Sequence, residues 1–255
     1  MSITNEDEFS GIQAVSELVG LVLREMRAYA RPGMSAQTLD EYGGSILSDY
    51  GARSAPRAAY NFPGWTCISV NNEVAHGIPS AHKIFRDGDL INVDVSAELN
   101  GFWSDNGGSF VMGEDKYHHQ QLVDASKAIL WQAIAAIHTG VKIAEVGRIV
   151  ESEARYRGYR VIKNLTGHGV GRSLHEEPHD IANCYNRFNG RRFSSNAVVA
   201  IETFIATSST MAYTTKDGWT LVGNKGGYVA QHEHTIMVTD QMPVILTENN
   251  GIWES

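Results

Sequence analysis

Two patterns of apolar and polar residues take turns along the chain. At helical spacing, Val22, Leu23 and Met26 share one face early on, and Ile129, Leu130 and Ala133 match them at an offset of 107 residues. At the same offset Gly33, Leu39 and Gly51 fall on Gly140, Val146 and Gly158. Each copy predicts a long amphipathic helix, a glycine-containing turn (Arg31-Pro-Gly-Met, then His138-Thr-Gly-Val) and a second helix ending at a glycine suited to a C-cap. Strand-like runs rich in Val, Ile and Thr follow both copies. The first set is Trp65 to Asn71, Asp89 to Ala97 and Ser109 to Gly113; the second is Val161 to Thr166, Ala197 to Thr203 and Glu233 to Asp240. The expected fold class is α+β, with two helix-helix-sheet halves, about 10–115 and 117–240. No Pro/Ser-rich linker parts them, so they are expected to form one unit over 1–255 around a shared antiparallel sheet.

Within these strands the phase of the polar residues carries chemistry. In Asp89 to Ala97, alternation sends Ile91, Val93 and Val95 to one face and Asn92, Asp94 and Ser96 to the other. Eleven residues beyond Asp94, Asp105 sits in Gly101-Phe-Trp-Ser-Asp-Asn-Gly-Gly, read as a tight turn or bulge, and a hairpin could bring the two aspartates together. An Asp beside glycines is by itself an ordinary turn residue; the pair is more informative. His168 and His175 lie in a glycine-rich stretch, Gly167-His-Gly-Val-Gly-Arg-Ser-Leu-His, read as a turn that lets backbone approach a ligand closely. Glu202 closes one apolar run and Glu233 opens another, with Arg and Lys sparse around both. Alternation turns His232 and His234 away from Glu233, so neither is expected at the same site.

Four carboxylates and an imidazole, set among apolar strands, are costly to bury unless cations neutralise them. Asp94, Asp105, His168, Glu202 and Glu233 are therefore candidate ligands. Mixed oxygen and nitrogen donors suit Mn²⁺, Fe²⁺, Co²⁺ or Zn²⁺, and four anionic ligands favour two ions over one. Such a pair activates water, so hydrolysis is the expected reaction.

Composition narrows the class. With 255 residues, 42% of them hydrophobic, the chain can bury one sizeable core, and its net charge of −8 argues against nonspecific nucleic-acid binding. The sequence starts without a signal-like or membrane-spanning stretch, and its two cysteines imply no disulfide framework; the expected address is the cytoplasm.

Several blocks, in order, resemble the type I methionine aminopeptidases, metallopeptidases of the pita-bread fold. They are Asn72-Glu-Val-Ala-His-Gly-Ile-Pro, the Asp94/Asp105 pair, Gly167 to Pro178, Lys216-Asp-Gly-Trp-Thr and Gln231-His-Glu-His-Thr-Ile, spanning about Ile12 to Asp240. The resemblance implies that Asp94 chelates one ion, that Asp105 and Glu233 bridge both, and that His168 and Glu202 complete the ligand set of the second ion. It implies Glu202 as general base, His175 as stabiliser of the carbonyl oxygen and His76 as a contact to the scissile amide nitrogen. It also implies a methionine pocket including Tyr60, Phe62, Cys67, Leu174, Phe204 and Trp219. Substrates would be peptide and nascent-protein N-termini with a small second residue. A transient ribosome contact and a monomeric state are expected, without a membrane or a specific nucleic acid. The short form without an N-terminal zinc-finger extension resembles the bacterial type.

Two other readings compete. An aminopeptidase acting before proline usually carries a large extra N-terminal domain that 255 residues cannot hold. A noncatalytic pita-bread interaction protein would tend to lose ligands, and all five are present. The chain departs from the usual pattern at Asn106-Gly107 (commonly Thr-Ser), Thr203 (commonly Pro), Ser195-Asn196 (often Pro-Gly) and Phe62 (often Tyr).

Overall fold

The computed structural model describes residues 1–253. Helices α1 (Glu6–Tyr29) and α2 (Ala36–Asp49) lead into β1 (Arg53–Ser54), α3 (Ala55–Tyr60), β2 (Cys67–Val70), β3 (Glu73–Ala75) and the hairpin β4 (Leu90–Leu99) and β5 (Phe102–Val111). The second half opens in the same way with α4 (Gln120–Ala135), α5 (Ile143–Tyr156) and β6 (Arg160–Val161). It continues through β7 (Thr166–Gly169), β8 (Glu176–Ala182), β9 (Val198–Ala206), β10 (Ala212–Thr214), β11 (Leu221–Gly223), β12 (Val229–Met237) and β13 (Val244–Ile245). Among the described residues, no helix is long and apolar enough to cross a membrane.

The offset seen in the sequence is repeated in three dimensions. Gly33 and Gly140 both take left-handed backbone, φ 87° and 85°, as the turns require, and their N–H groups donate to Phe85 and Phe193 carbonyls at 2.8 Å each. β1 pairs with β4 (Arg53 opposite Glu98) as β6 pairs with β9 (Arg160 opposite Ala206). The two units meet edge to edge, giving a ten-stranded antiparallel sheet with spine order β1-β4-β5-β12-β9-β7-β8.

The long helices α1 and α4 cover one side of this sheet. Asn5 starts α1 by accepting the Glu8 N–H, and Glu6, Asp7 and Glu8 place negative charge at the positive end of the helix dipole. Val15, Val19, Val22, Leu23 and Met26 of α1 are buried as the helix packs on β4 and β5; Leu122, Ile129, Leu130 and Ala133 of α4 do the same over β9 and β12. A smaller sheet, β10-β11-β3, packs against β2 and β12 through β3.

Three strands differ from the sequence reading. Asp105 lies inside β5, and the turn falls earlier, at Asn100 and Gly101 (φ 52° and 84°). His168 lies on β7 and Glu233 at the centre of β12. The nearby glycines relieve crowding: a Cβ on Gly107 would stand 2.4 Å from Gln231 Oε1, and one on Gly167 2.4 Å from the Ala200 carbonyl oxygen.

Candidate metal centre

All five expected ligands converge on one small cavity, which α3 borders through Pro56 and Tyr60. Asp94, Asp105, His168, Glu202 and Glu233 line it together with His76 and His175. The β4–β5 register puts Asp94 opposite Gly107 and Asp105 opposite Ser96, so both aspartates share a face as near-diagonal neighbours. Across the next strands Glu233 faces Glu202 directly, and His168 pairs with Ala200 two residues away on β9. Donor atoms of Asp105, His168 and Glu233 all lie within 4.8 Å of one another.

The electrostatics of this cluster call for a cation. Among the described residues no Lys or Arg pairs with any of the four carboxylates; their basic-type neighbour is His168, whose Nε2 is 3.8 Å from Asp105 Oδ2 and 4.0 Å from Glu202 Oε1. Burial, and then the nearby His175, hold His168 down to about 3, so it is neutral at physiological pH and supplies no charge. Burial pushes Asp94 up to about 6. Burial and mutual repulsion push Asp105, Glu202 and Glu233 well above the usual carboxylate range. Asp105 Oδ1 and Glu233 Oε1 are buried without any hydrogen-bond partner. Orphaned carboxylate oxygens beside a neutral imidazole make a donor set that fits a divalent transition ion.

Two buried amides, Asn92 and Gln231, complete the setting and were not singled out as site residues from the sequence. Gln231 Nε2 donates to Glu233 Oε2 at 2.9 Å, and Asn92 Nδ2 donates to Gln231 Oε1 at 2.7 Å. Each lies two residues before a ligand, so strand alternation alone puts it on the ligand's face.

Around the metal cluster the lining turns apolar. Tyr60, Phe62, Cys67, Leu174 and Trp219 line the cavity, with Phe62 edge-on to Trp219 at 5.2 Å. Cys67 is the cross-strand partner of Asp94, and burial with nearby carboxylates pushes its thiol well up, so it stays protonated. Phe204 is placed elsewhere, in an adjoining apolar cluster with Val74, Ala75 and Ile162. Pro56 and Ser96 join the lining without having been expected. Tyr60 Oη lies 2.6 Å from His175 Nδ1, and His76 takes left-handed backbone, φ 53°, just before Gly77, where a Cβ would strike the Ile68 carbonyl.

The model of metallopeptidase family M24 matches residues 10–240. The chain belongs to this family. As an M24 chain it is similar to methionine aminopeptidase 2 of Bacillus subtilis, 45% identical over 97% of this chain and 100% of that protein. A solved methionine aminopeptidase from Thermotoga maritima superposes with a TM-score of 0.92 at 31% identity, covering 97% of this chain and 99% of that one. A prolidase from Pyrococcus horikoshii shares the fold, with a TM-score of 0.76 at 18% identity, but this chain covers 63% of it. Family membership and these relatives bear out the α+β pita-bread architecture and the resemblance to type I methionine aminopeptidases. The M24 chain is a metal-dependent exopeptidase, and divalent metal binding belongs to that chemistry.

Proposed function

We propose that this M24 enzyme removes the N-terminal methionine from peptides and nascent proteins whose second residue is small. The observation that carries the reading is the convergence of four uncompensated carboxylates and a neutral histidine at the base of a pocket lined by Tyr60, Phe62, Cys67, Leu174 and Trp219. Aromatic rings and a thiol suit a thioether side chain. Similarity to methionine aminopeptidases over the full length of the Bacillus subtilis protein supports the substrate class.

In this reading Asp94, Asp105, His168, Glu202 and Glu233 would hold the ions between them. Two divalent ions of Mn, Fe, Co or Zn would supply Lewis acidity, bringing the pKa of water down to about 7 and polarising a carbonyl. Glu202 takes a proton from the attacking water. His175 donates to the developing oxyanion. Burial holds its pKa down to about 4, so it acts as neutral imidazole. Tyr60, whose own pKa is raised by burial and by Asp105, keeps its hydroxyl proton and donates to Nδ1, leaving the His175 proton on Nε2. His76, also kept neutral by burial, contacts the scissile amide nitrogen.

We further read the chain as one catalytic unit over 1–255 with duplicated halves, acting as a cytoplasmic monomer that meets nascent chains in transient ribosome contact. The test of the substrate class is a panel of peptides varied at the first two residues and assayed with each metal. Release of methionine ahead of Ala, Ser or Gly is expected. Preference for a proline-containing bond, or no release with any metal, overturns the proposal.

A further inference from the structure

The seam between the two halves is far shorter than the ladders on either side of it. β4 and β5 pair over ten residues and β9 and β12 over nine, yet β5 and β12 pair regularly only at Gly107–Glu233 and Gly108–His232. Beyond those pairs the backbones are joined through side-chain hydroxyls. At one end Thr235 Oγ1 accepts the Asp105 N–H at 3.1 Å and donates to the Asp105 carbonyl at 2.7 Å. At the other, Ser109 Oγ accepts the Gln231 N–H at 2.9 Å and donates to the Gln231 carbonyl at 3.0 Å.

The two clamps are related as the two halves are. Counting from the Gly107–Glu233 pair, Asp105 and Thr235 stand two residues to one side, and Ser109 and Gln231 two residues to the other. Each hydroxyl satisfies both backbone groups of the residue opposite, so it sets the distance between strands that have parted. All four residues are buried, Thr235 completely, so water cannot easily replace the contact. What they hold is not neutral framework. One clamp grips Asp105 itself, and the other grips Gln231, whose carboxamide fixes Glu233 Oε2 at 2.9 Å.

We infer that Thr235 and Ser109 are positioning residues, a pair of hydroxyl clamps that hold the two halves at the separation that would let Asp105 and Glu233 ligate metal together. The inference rests on reading those two carboxylates as metal ligands. The hydroxyl is the operative group: Val at 235 keeps the branched shape and leaves the Asp105 N–H and carbonyl buried without partners, whereas Ser keeps the contact and loses only a methyl group.

The test uses full-length metal-free protein titrated with Mn²⁺ by calorimetry, with circular dichroism and thermal melting run alongside. Thr235→Val and Ser109→Ala should remain folded and bind Mn²⁺ about 10- to 100-fold more weakly, the range for groups that orient metal ligands. Thr235→Ser should bind as the unaltered protein does. Unaltered affinity in both Thr235→Val and Ser109→Ala overturns the clamps while leaving the metal site intact. If Thr235→Val does not fold, Ser109→Ala and Thr235→Ser decide: normal binding in the former, or lost binding in a folded latter, overturns the clamps. If the unaltered protein binds no Mn²⁺, Co²⁺, Fe²⁺ or Zn²⁺, the metal reading itself fails and the clamps fall with it.

Discussion

Glu202 and Glu233 are direct partners across β9 and β12, two carboxylates in register with Glu233 1% exposed and the Glu202 side chain 13%. Two carboxylates placed directly opposite either repel or hold a proton that the unfolded chain would release, and burial adds the cost of desolvation. An arrangement that opposes stability in the metal-free chain is expected where function requires it.

Glu202→Gln should therefore stabilise the metal-free protein by about 0.5–2 kcal/mol while removing activity. Urea unfolding in chelator, compared with unfolding in Mn²⁺, reads this. The variant should be the more stable of the two without metal and lose that lead when metal is added, because the unaltered protein gains more from binding.

Metal affinity should rise with pH. In the metal-free fold, burial raises Asp94 to about 6 and raises Asp105, Glu202 and Glu233 well above the carboxylate range, so these groups hold protons that an incoming ion must displace. His168, held down to about 3, is already neutral and does not compete. The bound state therefore carries fewer protons than the free one, and binding strengthens as pH climbs. Calorimetric Mn²⁺ titration from about pH 6 to 8, in buffers of different ionisation enthalpy, should show increasing affinity and proton release. A flat affinity would contradict the assignment.

The Tyr60–His175 bond makes a graded prediction. His175→Ala should lower kcat by about 10²–10³, the usual loss for one oxyanion donor. Tyr60→Phe removes the group that fixes the tautomer and should cost a fraction of that, with KM nearly unchanged. A loss confined to KM would place Tyr60 in substrate binding alone, and a kcat loss equal to that of His175→Ala would contradict the supporting role.

The lack of a side chain at Gly107 leaves room for the Gln231 carboxamide. Gly107→Ser should push Gln231 off Glu233 and weaken Mn²⁺ binding about 10- to 100-fold. Titration of the folded variant checks it.

Much of this site can be read in the sequence because it depends on local rules. Alternation sets the phase of Asp94, and the same rule separates Glu233 from His232, which bonds Ser126 Oγ and the Ser109 carbonyl, and from His234, which bonds Thr247. The 107-residue offset anticipates the matched turns at Gly33 and Gly140. Glycine misled where its reason is not conformational. Beside Asp105 and His168 it reads as a turn, but Gly107 and Gly167 sit in strands and make room for a carboxamide and a carbonyl. Contacts such as Tyr60 with His175, 115 residues apart, and Thr235 with Asp105, 130 apart, leave no local signature. Phe204 shows the converse limit: its phase matches that of Glu202, yet β3 and Ile162 pack over it and draw it into a separate cluster.

The central claim is that these five side chains assemble a metal centre that excises N-terminal methionine. The most direct measurement titrates metal-free protein with Mn²⁺ while following methionine release from a Met-Ala-Ser peptide, with Glu202→Gln as the folded control. Release should appear as ions bind, vanish with chelator and stay at least about 10²-fold lower in the control at every Mn²⁺ concentration. Release that survives chelation, or near-normal turnover by Glu202→Gln, would contradict the account.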